Sequence, residues 1–170
     1  GKDSIMKKSI TLSLAAALLA APALGYKQED LEKLKSTMVC VDCDLKEAPL
    51  SGANLIQANL RSADLSKADL HNVGLSESDL SNANLTEAQL MNASMGEANL
   101  RNANLTEAFL YNAYLGYADF TEANLKGADL SKADLSGAVF RGAQLDFTNL
   151  SKAIFCNTVM PDGQRIFKDC

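Results

Sequence analysis

Ala58-Asn59-Leu60-Arg61-Ser62, Ala63-Asp64-Leu65-Ser66-Lys67 and Ala68-Asp69-Leu70-His71-Asn72 are three successive copies of one five-residue phrase, which runs from Cys43 to Ala153. Leu returns at every fifth position from Leu45 to Leu150, with Met95, Phe120 and Phe140 as substitutes and Phe155 closing the series. Two residues ahead of each stands Ala, except at Cys43, Val73, Ser78 and Thr148. A repeat this strict decides the fold before any local propensity is consulted.

The period fits neither regular element. One face of a helix recurs about every 3.6 residues and one face of a strand every second residue. Leucines five apart would drift around a helix by about 140° per step, and along one strand they would alternate faces. The pattern closes if each unit forms one side of a coil, with a corner between units. Leu and the Ala two before it then point inward, while the other three positions face water.

The tandem A(D/N)LXX phrase, as in Ala63-Asp64-Leu65-Ser66-Lys67 and Ala128-Asp129-Leu130-Ser131-Lys132, resembles the pentapeptide-repeat proteins. That resemblance covers about two thirds of the chain. It implies an all-β fold, a right-handed quadrilateral parallel β-helix whose hand and four-sided section come from the family. The 23 units from Leu45 to Phe155 would then make nearly six coils, a rod roughly 27 Å long at about 4.8 Å per coil. Most members of the family have no known biochemical role, and a minority mimic DNA and bind type II topoisomerases.

Corners carry their own signal. A turn from Leu to the next Ala has its third residue just ahead of that Ala, where type II geometry requires a positive φ that Gly and Asn tolerate. Gly52, Asn72, Asn82, Asn92, Asn102 and Asn112 hold such corners, and Gln57, Lys67, Glu77, Glu87, Glu97 and Glu107 hold those between. Two turn types are therefore expected to alternate around the coil. Beyond Tyr117 the phase flips, with Gly127 and Gly137 standing where the glutamates stood. A change of coil shape is expected near residues 117–127.

The chain has 170 residues and a net charge of −5, and it contains no Trp. Ala and Leu supply most of its apolar content, which suits a thin core and argues against a broad internal pocket. Residues 1–25 read as a secretory signal peptide behind added residues, Gly1–Ile5, that precede the expected start at Met6. Lys7 and Lys8 make the basic end, Ile10 to Leu19 the apolar run, and Ala21-Pro22-Ala23 the small residues of a cleavage site. Three lysines and one aspartate would leave with residues 1–25, taking the net charge from −5 to −7. No membrane span is expected after removal of the signal, and a monomer is favoured.

Residues 26–42 are expected to form an N-terminal capping helix and a linker bearing cysteines, with Leu31, Leu34 and Met38 at helical spacing. Repeat ends need covers, because they expose core and unpaired backbone. The β-helix itself is assigned to 43–157 and a C-terminal capping tail to 158–170. Pro161-Asp162-Gly163 marks a turn in that tail.

Four cysteines flank the repeats. Cys40 and Cys43 form a Cys-x-x-Cys, which reads as a short structural disulfide, with free thiols, a redox pair or a metal half-site as alternatives. Cys156 and Cys170 enclose a loop of the kind a disulfide would tie down, by roughly 3 kcal/mol on the loop-entropy argument. The Cys-x-x-Cys-Asp-Leu entry and the Cys-Asn-Thr…Met-Pro-Asp-Gly ending look like exported cyanobacterial pentapeptide-repeat proteins. This likeness implies the periplasm or the thylakoid lumen.

One wall region breaks the polar rule. Met91 should stack beneath Tyr111, with Phe109, Tyr114 and Tyr117 outward in the same coil. Exposed aromatic clusters mark contact sites, although rings can also serve simply to cover a flat wall. With one His, no Gly-rich phosphate loop and no acids paired in a cleft, no catalytic constellation emerges. The expectation is a non-enzymatic structural or protein-interaction module with an unidentified protein partner, no nucleic acid and no cofactor. A DNA-mimic regulator of type II topoisomerase and a cysteine-dependent redox or metal-binding protein are the alternatives.

Overall fold

The computed structural model describes residues 23–170, so the secretory-signal reading falls almost wholly outside the described residues. Each wall residue between Ala and Leu pairs in parallel with the residue twenty positions on. The ladder starts at Val39↔Asn59 and ends at Val139↔Val159 without a slip of register. Four five-residue units therefore complete one turn of a β-helical solenoid.

A backbone tally explains the repeated phrase. In the unit 63–67, Ala63 N–H closes the corner to the Leu60 carbonyl at 3.0 Å. Asp64 N–H donates to Cys43 of the coil before at 2.8 Å, while Leu65 and Lys67 donate to Asn84 and Thr86 of the coil after at 2.7 and 2.9 Å. The one donor without a backbone acceptor is Ser66 N–H, and Asp64 Oδ1 takes it at 3.0 Å. The same oxygen accepts the Ser66 hydroxyl at 2.6 Å and the Asn84 side-chain amide at 3.3 Å. Asp or Asn stands beside Leu because a short side-chain oxygen there pairs the orphaned corner N–H.

Asp79 is held in the same way by Ser81 N–H, the Ser81 hydroxyl and Asn99. Asp79→Ala should cost about 1–2 kcal/mol, because a part-buried donor loses its acceptor. Asp79→Asn keeps that acceptor and should cost little. Chemical denaturation of the two variants tests this role.

Turns do not alternate as the corner residues suggested. Every corner position from Asp42 to Asn157 has a positive φ, Glu as well as Asn: 55° at Glu107, 56° at Asn112 and 60° at Tyr117. Left-handed geometry costs an L-residue roughly 1–2 kcal/mol, but each such residue from Asp42 to Gly142 also donates to the next coil and is held there by the ladder. Nor does the coil change shape near 117–127. Bridges continue at the same twenty-residue step through Asp119↔Val139 and Asn124↔Gln144. The switch to glycine is a matter of side-chain cover instead. A Cβ on Gly127 would lie 3.3 Å from Glu107 Cγ, so the side chain of one coil rests over the bare corner of the next.

Inside, Leu and Ala from all four walls form one continuous core. Counting walls from the one that carries Asp44, Phe120 and Phe140 lie one coil apart on the fourth wall, that of Asp79, Asn99, Asp119 and Val139. Both are buried, with ring centroids 4.7 Å apart and planes within 4°. That separation is close to the parallel-strand spacing, so the ladder itself sets the ring stack.

Helix α1, Gln28–Thr37, precedes the repeats and buries Leu31 and Leu34 in the same core as Cys40, Leu45 and Ala48. It ends at Met38, whose left-handed N–H bonds the Leu34 carbonyl. Asp30 accepts the Asp44 N–H at 2.7 Å, a donor with no earlier coil to meet. Pro49, on the next wall, has no N–H to satisfy. Past the repeats, β1 (Thr158–Val159) and β2 (Arg165–Ile166) make an antiparallel hairpin through Pro161-Asp162-Gly163. Asp169 then exchanges two hydrogen bonds with the Phe155 backbone, both 2.9 Å. Leu145 and Leu150 of the last coil stay only partly buried. Among the described residues, no helix is long and apolar enough to cross a membrane.

Candidate interaction surface

The ladder brings Phe109, Tyr111, Tyr114 and Tyr117 onto two adjoining walls and their corners within a single coil. Phe109 lies between Gln89 and Asp129, and Tyr114 between Ser94 and Asp134. Met91 occupies the corner one coil before Tyr111 and is half-buried. All four rings are exposed, from 37% at Tyr111 to 65% at Tyr117. At most equivalent positions of the other coils a polar residue stands instead, with Ile56, Phe147 and Ile154 as exposed apolar exceptions.

Polar capping is also missing here. Gln89, Ser94, Phe109 and Tyr114 stand where Asp or Asn would accept the corner N–H. No such bond reaches Met91, Gly96, Tyr111 or Gly116, nor Ser76, Arg141, Asp146 or Cys156, whereas it recurs at Ser66, Ser81, Thr86, Thr106, Thr121 and Ser131. Over two coils and two walls, the chain gives up a stabilising bond at each corner and presents apolar side chains instead.

Glycines decide how two rings lie. Tyr114 rests on Gly96 and Gly116: an added Cβ would come within 2.6 Å of its Cε1 and 2.5 Å of its hydroxyl oxygen. Tyr117 rests on Gly137, where a Cβ would meet Cδ1 and Cε1 at 2.5 Å. Both rings therefore lie down on backbone and keep the opposite side toward solvent. Sequence reasoning found the tyrosines and missed these beds, although Gly96 and Gly116 stand one coil apart and could have signalled them. Gly116→Ala should lift the Tyr114 ring from the wall at a cost of about 1 kcal/mol, the low end for overpacking. Displaced Tyr114 ring resonances in an NMR spectrum would report it, and an unchanged ring would refute the bed.

Tyr111 differs. Its hydroxyl accepts Lys132 Nζ at 2.7 Å, while the same nitrogen is 5.1 Å from the ring centroid. The ammonium thus sits at the hydroxyl end and makes a hydrogen bond, not a contact with the ring face. Asn112 donates to Asn92 at 2.9 Å across the same corner. On the fourth wall, Arg101 pairs with Asp119 at 2.9 Å. Burial alone would raise the Asp119 pKa, but the Thr121 hydroxyl and N–H together with Arg101 outweigh it and hold the carboxyl below its ordinary value.

The other residues singled out by sequence lie apart from this surface. Cys40 and Cys43 are buried with sulfurs 2.05 Å apart, and Cys156 and Cys170 stand at the other end with sulfurs 2.17 Å apart. His71 Nδ1 lies 2.7 Å from Asp69 Oδ1. Among the described residues, no three His, Cys, Asp or Glu gather as a metal site.

Comparison with known proteins bears on the whole repeat region. The family model for pentapeptide repeats matches residues 43–82, 83–116 and 118–157, in eight copies. No curated protein sequence matches the chain. A pentapeptide repeat protein of the cyanobacterium Cyanothece 51142 has a solved structure similar to this one. Identity is 29% over 78% of this chain and 97% of that one, with a TM-score of 0.64. HetL of the cyanobacterium Nostoc, described as involved in heterocyst differentiation regulation, is 30% identical over 75% of this chain and 66% of its own, with a TM-score of 0.32. A pentapeptide repeat protein of the Arabidopsis thaliana thylakoid lumen is 26% identical over 53% of this chain and 63% of its own, with a TM-score of 0.40.

Proposed function

Because the chain belongs to the pentapeptide-repeat family, we propose that it is a non-enzymatic interaction module that offers Met91, Phe109, Tyr111, Tyr114 and Tyr117 to a protein partner. Its working form is a monomeric right-handed rod of nearly six coils over residues 43–157, capped by α1 before and by the 158–170 tail after. The observation that carries this reading is the gathering of four exposed rings in one coil, two of them, Phe109 and Tyr114, where an Asp or Asn would otherwise cap the corner. A wall evolved only for stability would keep Asp or Asn there, as Asn104, Asp119, Asp129 and Asp134 do.

Two features support the non-enzymatic reading. Wall hydroxyls such as those of Ser66, Thr86 and Ser131 donate to Asp or Asn oxygens at 2.6 Å, which occupies them in closing corners. The Cys40 and Cys43 sulfurs are within bonding distance of each other and buried, which suits a staple better than an exposed redox pair. Two oxidised pairs fit an exported protein of the periplasm or thylakoid lumen. Thiol counting on the denatured chain should find no free thiol, and four reactive thiols would remove that address.

The test of the surface is affinity capture from exported-compartment extract. Wild type is compared with a variant carrying Ser at positions 109, 111, 114 and 117, first shown to melt cooperatively. A partner kept by wild type and lost by the variant is the expected result. Identical captures would return the aromatic residues to wall cover.

A further inference from the structure

We propose that the partner segment received by this surface is basic and presents arginine to the rings of Tyr114 and Tyr117. The inference rests on the reading of that surface as a contact site and names the chemistry it selects. Both rings lie on glycine and keep one side open, with exposures of 47% and 65%. A flat ring held against backbone suits a planar cation, and guanidinium stacks on aromatic faces more readily than ammonium does.

Charge around the rings points the same way. Asp134 is the direct ladder neighbour of Tyr114, and one of its carboxylate oxygens accepts the Ser136 N–H at 3.0 Å. Glu97 holds the corner one coil before Tyr117 and is exposed, with Glu77 one coil earlier. Among the described residues neither Glu97 nor Asp134 has a cationic partner. Two cations of the adjoining corners are engaged elsewhere, Lys132 on the Tyr111 hydroxyl and Arg101 on Asp119, and Lys152 stands one coil beyond Lys132 without pairing to Asp134. The rings are thus flanked by unneutralised carboxylates on a chain of net charge −5. A nucleic acid or acidic peptide would be repelled, and an arginine could stack on a ring while pairing with the acid beside it.

The test uses the folded full chain as bait for a displayed library of random dodecapeptides. Enriched peptides are then titrated and followed by tyrosine emission. With no Trp and four Tyr in the chain, three of the emitters belong to this surface. The expected result is enrichment of arginine, with binding that weakens as salt rises. Glu97→Gln with Asp134→Asn, which keeps the Ser136 acceptor, should weaken it roughly fivefold, as befits an exposed ion pair or cation–π contact. Replacing the arginine by citrulline should have at least that effect.

Peptides without arginine, or binding indifferent to the two acid variants, would overturn the basic partner while leaving the aromatic surface as the contact. Arginine peptides that bind equally well to Tyr114→Ser with Tyr117→Ser would overturn both. An unenriched library would overturn the arginine proposal and leave the capture experiment to judge the surface.

Discussion

Leu105→Asp should abolish the cooperative thermal transition of the repeat region. Leu105 has no exposed surface, and its N–H is bound to Asn124 of the next coil at 2.7 Å. The new carboxyl would sit between Leu85 and Leu125, where no donor or cation can reach it. Burying such a group without a partner costs several kcal/mol, against about 5–15 kcal/mol for the whole of a typical domain. In a solenoid each coil contacts only its neighbours, so a break in the middle removes support from both halves. Leu105→Met, which nearly conserves volume, should cost under about 1.5 kcal/mol. Circular dichroism melts of the two variants check the prediction, and a wild-type transition in Leu105→Asp would mean that the walls are reversed.

Phe120→Ala should be the next most damaging change, at about 3–5 kcal/mol. The ring fills the fourth wall and lies 4.7 Å from that of Phe140, so its loss leaves a cavity and an unstacked partner. Stacking itself contributes about 0.5–1.5 kcal/mol beyond burial. The pair Phe120→Ala with Phe140→Ala should therefore cost less than the two single changes added together. Denaturant titration of the three variants measures the coupling. Strict additivity would show that the rings are stabilised by their own walls alone.

Much of this molecule was legible in its sequence because one energetic demand is repeated in every unit. A thin core takes mostly Ala and Leu at its inward positions, so the inward list from Ala48 to Ala153 could be written down without coordinates. The turn at Pro161-Asp162-Gly163 and the apolar spacing of Leu31 and Leu34 were legible for the same reason, each being a local preference that the fold agrees with. The aromatic interruption was visible as well, since Phe109, Tyr111, Tyr114 and Tyr117 break a polar rule.

Other features had no local signature. Glu107 and Asn112 differ greatly in their tolerance of a positive φ, yet they adopt 55° and 56°, because the ladder between coils outweighs the preference of either residue. The flatness of Tyr114 and Tyr117 depends on Gly116 within the same unit and on Gly96 and Gly137, which lie eighteen and twenty positions away in the chain and become neighbours only when coils stack. By itself, the sequence determined which residues face inward and how often the chain must turn. Tertiary structure decided the corner conformation, the resting place of each ring and the acids beside it, since hydrogen bonds and contacts between coils, joined for Tyr114 by Gly116 of its own unit, set all three.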